Sequence, residues 1–503
     1  MIAALFLATT LHGMIDADTT GSNQPTISLS YPESITDSFS GPVYVAFTRS
    51  KRRSPSASIN WFAPEPLYRV DVEDWSPGEV MILGPDTPGF PSLLGDLEHG
   101  QWRVQAIMRM DPDLSSLAGG HAALSDILTL NNGIDGTWPI TLSIDEIKTR
   151  QSPRLPKGAA LLSHRSELLS QFHGRDITMR AIVFFPKDFD AEADRNWPVL
   201  YVIGGFPGSL GEAAMSQMMW GDPDRDQDLV IIYIEGECGT GHHVFADSEN
   251  NGPRGQALIE EFIPWIESQY PLIEAPEGRL LTGHSSGGWS SLWLQITYPE
   301  FFGGTWSTAP DPVDFHAFQM MDIYADDANA YRSPDGTRMG VARGRGGKPS
   351  LFMEDFCAME EAIGDGGQIR SFEWVFSPRG EDDRPRPLFN RMTGDIDPEV
   401  VAAWKKYDIA RILKEHWNVL GPKLKGKIHV YMGEQDTFFL DEAARRLRKQ
   451  MAELDSDAVI ELMPGDHSSI MFGTLRDRIM KEMNETVNAG PQAMDESADS
   501  SED

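Results

Sequence analysis

The sequence predicts an α/β protein built on a mostly parallel sheet with helices on both faces, preceded by a small all-β unit. Three observations carry that prediction. Beyond residue 160, short apolar runs alternate with helical patterns. Before residue 148, strand-like runs stand without helices between them. The pentapeptide Gly283-His284-Ser285-Ser286-Gly287 falls where one apolar run meets a helix-length apolar segment. Strands alternating with helices imply a parallel sheet covered on both sides, and such sheets gather their functional groups at the carboxyl ends of the strands.

Taken in order, residues 2–11 form an apolar run too short to span a bilayer, followed by mostly small and polar residues to position 22. This is the pattern of a signal peptide over residues 1–22, and it predicts a secreted or periplasmic protein. Residues 26–31, 42–47, 68–72, 102–108 and 138–143 read as short strands broken by Pro, Gly, Ser and Asp, which predicts a β-sandwich-like domain over residues 25–148. A polar stretch with two prolines, residues 147–160, reads as a linker.

The second unit, residues 149–485, has strand-like runs at 177–185, 198–203, 229–234, 279–282, 304–307, 427–432 and 459–463, with helical patterns such as 256–267 and 290–297. Residues 311–397 interrupt the alternation with a loop carrying Arg338, Arg343, Arg345 and Lys348. A long excursion straight after a strand end reads as a cap over a site. Residues 486–503 are acidic and poor in apolar side chains, which predicts a disordered tail.

A length of 503 residues suggests two to three domains, and 40% hydrophobic content supplies their cores. The formal net charge of −33 disfavours charge-driven binding to nucleic acid or anionic lipid. No later stretch approaches a membrane span. Cys238 and Cys357 are the only cysteines, so disulfides are not the main source of stability; they either pair after export or remain buried thiols. Neither has a spacing that suggests a metal, and no cofactor motif is present. Oligomeric state is not legible.

The chemistry lies in G-x-S-x-G. A nucleophilic serine on a sharp strand-to-helix turn needs small residues two before and two after it, and Gly283 and Gly287 meet that need. Serine then requires a base, an acid that orients the base, and donors for a developing oxyanion. Asp436, in the loop Gly433-Glu434-Gln435-Asp436, is the best candidate acid, with Glu434, Asp311 and Asp314 as rivals. His467, in the turn after the last strand, is the candidate base. Ser286 N–H and an N–H from the turn Gly204-Gly205-Phe206-Pro207-Gly208, from either Gly205 or Phe206, are the candidate oxyanion donors. The loop bearing His242 and His243 should overlook the same site. Those two histidines are read as pocket-lining or loop-bonding groups, not as metal ligands. Trp220, Phe245 and Trp289 are candidates for apolar pocket walls.

Together, Gly204-Gly205, Gly283-His284-Ser285-Ser286-Gly287, Gly433-Glu434-Gln435-Asp436 and Gly465-Asp466-His467 resemble the esterase family of α/β-hydrolases that includes esterase D-like, feruloyl and acetyl xylan esterases, enterochelin-type siderophore esterases and mycolyltransferases. The resemblance spans residues 167–483 and implies an α/β-hydrolase fold with Ser285, Asp436 and His467 as its triad. Two departures stand out: Ile203 occupies the place of the family's His or Asp before the oxyanion glycine, and the insertion after Asp311 is long.

The expectation is therefore an exported serine esterase acting through an acyl-enzyme on a small-molecule or glycan ester, with carbohydrate and siderophore esters as candidate substrates. Competing expectations are a prolyl-oligopeptidase-type peptidase, an acyltransferase, and a non-catalytic binding module on a hydrolase scaffold.

Overall fold

A computed structural model describes residues 24–489 except 58–59, 135, 151–152, 154, 156–157, 193 and 221–228. The expected signal peptide lies outside the described residues, as do residues 490–503. Residues 486–489, expected as tail, belong instead to the helix Thr474–Ala489, which carries Ile479 and Met483 into the core.

Nine strands of the first unit form one connected network. Strand Ile140–Lys148 joins its halves: residues 140–143 run parallel to 27–30, and residues 144–148 run antiparallel to 122–125. Alternate residues of the long strands, such as Val43, Val45 and Phe47, and Trp102, Val104 and Ala106, point into one apolar core. Strands Ala122–Ser125 and Leu128–Asn132 escape notice in the sequence because they are short. Both pair with Gly100–Arg109, which holds Phe39–Thr48 on its other edge.

The main sheet of the second unit has eight strands: β1 (Ala159–Ser166), β2 (Ile177–Phe184), β3 (Val199–Ile203), β4 (Val230–Ile234), β5 (Arg279–His284), β6 (Gly304–Thr308), β7 (Ile428–Gly433) and β8 (Val459–Met463). Their order is β1-β2-β4-β3-β5-β6-β7-β8, with β1 and β2 antiparallel to their neighbours and the rest parallel. β3 (VLYVI) and β4 (VIIYI) are buried at every position. Val199, Tyr201 and Ile203 pack on one face, and Leu200 and Val202 on the other. That two-sided burial is why these strands read as continuous apolar runs. β1, expected as linker up to residue 160, is an edge strand with half-exposed side chains and so lacks such a run.

The principal helices are α1 (Ala213–Trp220), α2 (Ser286–Thr297), α3 (Met353–Ile363), α4 (Gln368–Phe376) and α5 (Asp441–Glu453). The excursion between β6 and β7 contains α3, α4, the strand pair Gly340–Arg343 and Pro349–Phe352, and two further helices, Pro398–Trp404 and Ile409–Leu424. Its α3 covers the outer face of the first unit: Tyr44, Ala46 and Leu67 share an apolar core with Phe356, Met359 and Ile363. Tyr44 Oη donates to Ile363 O at 2.8 Å, and Arg109 Nη1 donates to Asp365 O at 3.0 Å. Both cysteines are free and buried.

Candidate active site

Ser285 stands between β5 and α2 with φ 59° and ψ −124°, a conformation that L-residues rarely adopt. Three backbone bonds hold it there: Ser285 N–H donates to Thr308 O at 3.1 Å, and Ser285 O accepts from Trp289 N–H at 3.0 Å and Asp311 N–H at 3.2 Å. The flanking glycines are sterically required. A Cβ on Gly283 would stand 2.0 Å from Gly287 O, and one on Gly287 would stand 2.0 Å from Ile203 O. Such contacts let α2 lie tightly against β3 and β5.

At the end of β7, Asp436 is fully buried. Its Oδ1 accepts from Phe438 N–H at 2.8 Å and Leu440 N–H at 3.3 Å, while Oδ2 meets His467 Nδ1 at 2.7 Å. A carboxylate accepts only, so Nδ1 carries a proton, and in the neutral ring Nε2 is the acceptor. Phe438 packs edge-on to the His467 ring at 4.8 Å. Ser285 and His467 line one cavity of about 400 Å³, together with Gly205 and Phe206.

None of the rival acids takes the place of Asp436 at His467 Nδ1, although Asp311 interacts with the side chain of Ser285 and with the charge of His467. Asp311 lies at the elbow, but its Oδ2 accepts from Ser286 Oγ at 2.5 Å. Burial pushes its carboxyl up to about 6, against the lowering effect of the Ser286 bond. Asp314 accepts from His316 N–H and pairs with Arg446. Glu434 is exposed.

The turn expected to hold an oxyanion follows β3. A Cβ on Gly205 would lie 3.3 Å from Ser285 Cβ, so this backbone passes directly beside the elbow. The N–H groups of Gly205 and Phe206 have no acceptor among the described residues. Ser286, first residue of α2, presents an N–H that the helix cannot pair.

Of the five side chains expected to line the pocket, only Trp220 does so. His242, His243, Phe245 and Trp289 are buried elsewhere. His242 packs beneath the oxyanion turn: its Nδ1 accepts from Val244 N–H at 2.9 Å, which leaves the proton on Nε2 to donate to Gly204 O at 3.1 Å. Burial lowers its imidazole to about 4, which keeps it neutral. His243 caps Phe245 N–H through Nδ1, the Phe245 ring joins the core between β-sheet and helix, and Trp289 stacks on Trp293 at 5.2 Å. A loop after a strand end was expected to face substrate; instead its bulky side chains turn inward and fill the floor.

The cap's basic residues also lie away from the cavity. Arg338 pairs with Asp355 and Glu354, and Arg345 and Lys348 are exposed. Arg343 Nη1 donates to the backbone oxygen of Asp436 and to Asp441 Oδ1, tying the cap to the acid's loop. No motif marks that role. His284, also unassigned in the sequence, stands 4.6 Å from His467 ring to ring. Its Nδ1 bonds to Thr308 Oγ1 at 3.2 Å, whose own proton goes to Gly283 O. Among the described residues no group of three His, Cys, Asp or Glu is placed to hold a metal, and no helix is long and apolar enough to cross a membrane.

A serine on a strained turn after β5, beside a buried Asp–His pair at the ends of β7 and β8, is the arrangement of the serine hydrolases of the α/β-hydrolase fold, and this protein is of that class. Residues 171–469, more than half of the chain, match the family model described as "Putative esterase". The chain belongs to that esterase family and is a serine carboxylic-ester hydrolase. It is similar to an S-formylglutathione hydrolase from Agrobacterium tumefaciens (16% identity, 67% of this chain and 98% of that one, TM-score 0.40). A substrate-bound fluorophosphonate-binding serine hydrolase of Staphylococcus aureus aligns at 13% identity over 66% and 98% of the two chains, TM-score 0.38. A ferulic acid esterase of Anaeromyces mucronatus aligns at 14% over 66% and 91%, TM-score 0.33. No curated protein matches the chain.

Proposed function

We propose that Ser285, His467 and Asp436 form the catalytic triad of an exported esterase working through an acyl-enzyme. The observation that carries this reading is the 2.7 Å contact of buried Asp436 with His467 Nδ1, which leaves Nε2 free in the cavity that Ser285 lines. Ser285 Oγ attacks the ester carbonyl as Nε2 takes its proton; the tetrahedral oxyanion accepts from Ser286 N–H and from Gly205 or Phe206 N–H. Collapse expels the alcohol, protonated by His467, and water repeats the sequence to release the acid.

The cavity wall contains no Lys or Arg among the described residues, which favours uncharged carbohydrate esters over anionic siderophore esters. The apolar run at residues 2–11 supports export to the periplasm or medium. The peptidase reading loses ground, because nine strands in one network supply no set of four-stranded propeller blades.

Ser285→Ala tests the assignment. It should abolish p-nitrophenyl acetate turnover and fluorophosphonate labelling while circular dichroism stays unchanged; retained turnover would refute it. Sequencing the N-terminus of the mature protein from the culture medium or periplasm tests export.

A further inference from the structure

Trp61 belongs to the first unit, far outside the residues that match the esterase family, yet it lines the cavity of Ser285 and His467. Its ring packs at 5.5 Å on Phe206 of the oxyanion turn and at 5.2 Å, edge-on, on Phe356 of cap helix α3. The neighbouring Phe62 reaches Phe438 at 6.3 Å, and Phe438 in turn packs on His467. Two adjacent residues of the β unit therefore touch both ends of the catalytic apparatus.

Those ends have different chemical meanings. The leaving alcohol must sit within reach of His467, which protonates it. The cavity also has a wall of Phe206, Trp61, Phe356 and Phe372, which is available to the acyl half of an ester. Among the described residues that wall is aromatic and carries no cation. Glu212, also at the cavity, is pushed by burial to about 7 and adds no positive charge. At the mouth, Met215 and Phe472 line the cavity while 60% and 76% exposed, so apolar surface continues outward from it.

We propose that the β unit is part of the active site: Trp61 is a specificity-determining residue that, with Phe206 and Phe356, forms an acyl pocket for bulky, uncharged, apolar acyl groups. This rests on the hydrolase reading of Ser285 given above. A short acetyl group offers little surface to this wall; a six-carbon chain offers more and gains the contact energy that a hydrophobic pocket gives per methylene.

The test compares p-nitrophenyl hexanoate, p-nitrophenyl acetate and mono-p-nitrophenyl succinate, which share one leaving group, on the full chain and on Trp61→Ala and Trp61→Phe. The wild type should prefer hexanoate to the anionic succinate by about tenfold or more. Trp61→Ala should lower the hexanoate-to-acetate ratio of kcat/KM about tenfold, mainly through KM, and Trp61→Phe should recover most of it. A ratio within twofold of wild type, or hexanoate and acetate falling together as a merely structural role requires, overturns the proposal. So does equal use of succinate. Fluorophosphonate labelling of the wild type separates the layers: labelled protein with an unmoved ratio sinks only the acyl pocket, whereas unlabelled protein sinks the hydrolase reading beneath it.

Discussion

Asp436 Oδ2 meets His467 Nδ1 at 2.7 Å while Oδ1 of the same carboxylate accepts the N–H groups of Phe438 and Leu440. The carboxylate is thus locked from behind by its own loop, and the loop is held by Arg343 at the Asp436 carbonyl. The imidazole is left one tautomer, with its acceptor nitrogen free.

Asp436→Asn should therefore lower kcat about 10³- to 10⁴-fold, because an amide can turn its NH₂ toward Nδ1 and favour the wrong tautomer. Asp311→Asn, whose oxygen can still accept from Ser286, should lose no more than about tenfold. Steady-state kinetics on the two variants distinguishes the acids; equal losses would return Asp311 to candidacy.

Gly287→Ala should fail to accumulate as soluble protein or should melt far below wild type. The added Cβ would stand 2.0 Å from Ile203 O and 2.5 Å from Gly204 O, both backbone atoms of the central strand and oxyanion turn. Gly205→Ala is gentler: its Cβ would meet His284 O and Ser285 Cβ at 3.3 Å. It should melt close to wild type yet lose kcat by tenfold or more, read by thermal shift and ester turnover in parallel.

Acid should destabilise the fold through its buried histidines. Burial lowers His242 to about 4 and His284 to about 3. The unfolded chain protonates these rings near 6.5, so stability is lost as pH falls below 6.5, at about 1.4 kcal/mol per pH unit for each ring. Asp311 acts oppositely. Its raised carboxyl stabilises the fold below 3.8, and that contribution fades as pH rises through about 6. Glu212 and Glu360, raised by burial to about 7, act with Asp311, while His173 and His243, lowered by burial, act with His242 and His284, so the contribution of one ring is read by comparing the pH 7 to pH 5 change in melting temperature of the wild type with that of a variant lacking it. His242→Gln, which retains a donor for Gly204 O, should lose less, or gain more, than the wild type over that interval; identical changes in both proteins would contradict the assignment.

Arg279 and Glu267 form a bidentate pair at 2.6 and 2.9 Å at the base of β5, with both side chains nearly buried. Removing one charge strands the other, so Glu267→Ala should cost about 3–5 kcal/mol of stability. The site is at the other end of the strand, so kcat of the folded fraction at low temperature should match wild type. Denaturant titration and active-site labelling measure the two quantities separately.

The sequence by itself determined the catalytic grammar. Strands buried on both faces must be continuous apolar runs, and a serine elbow demands small neighbours, so Gly283, Gly287, Asp436 and His467 stand out by position along the chain. β1 was hidden because an edge strand needs no such run. Only the tertiary structure decided which of four acids meets His467, since that depends on how the loops after β6 and β7 fold back across the sheet. Only it turned His242 beneath the oxyanion turn and out of the pocket, and set Arg343 to hold the acid's loop instead of a substrate. It also brought Trp61 to a serine more than two hundred residues away. Local pattern records burial and backbone strain; proximity between distant side chains comes from sheet order and from how the cap packs on the β unit.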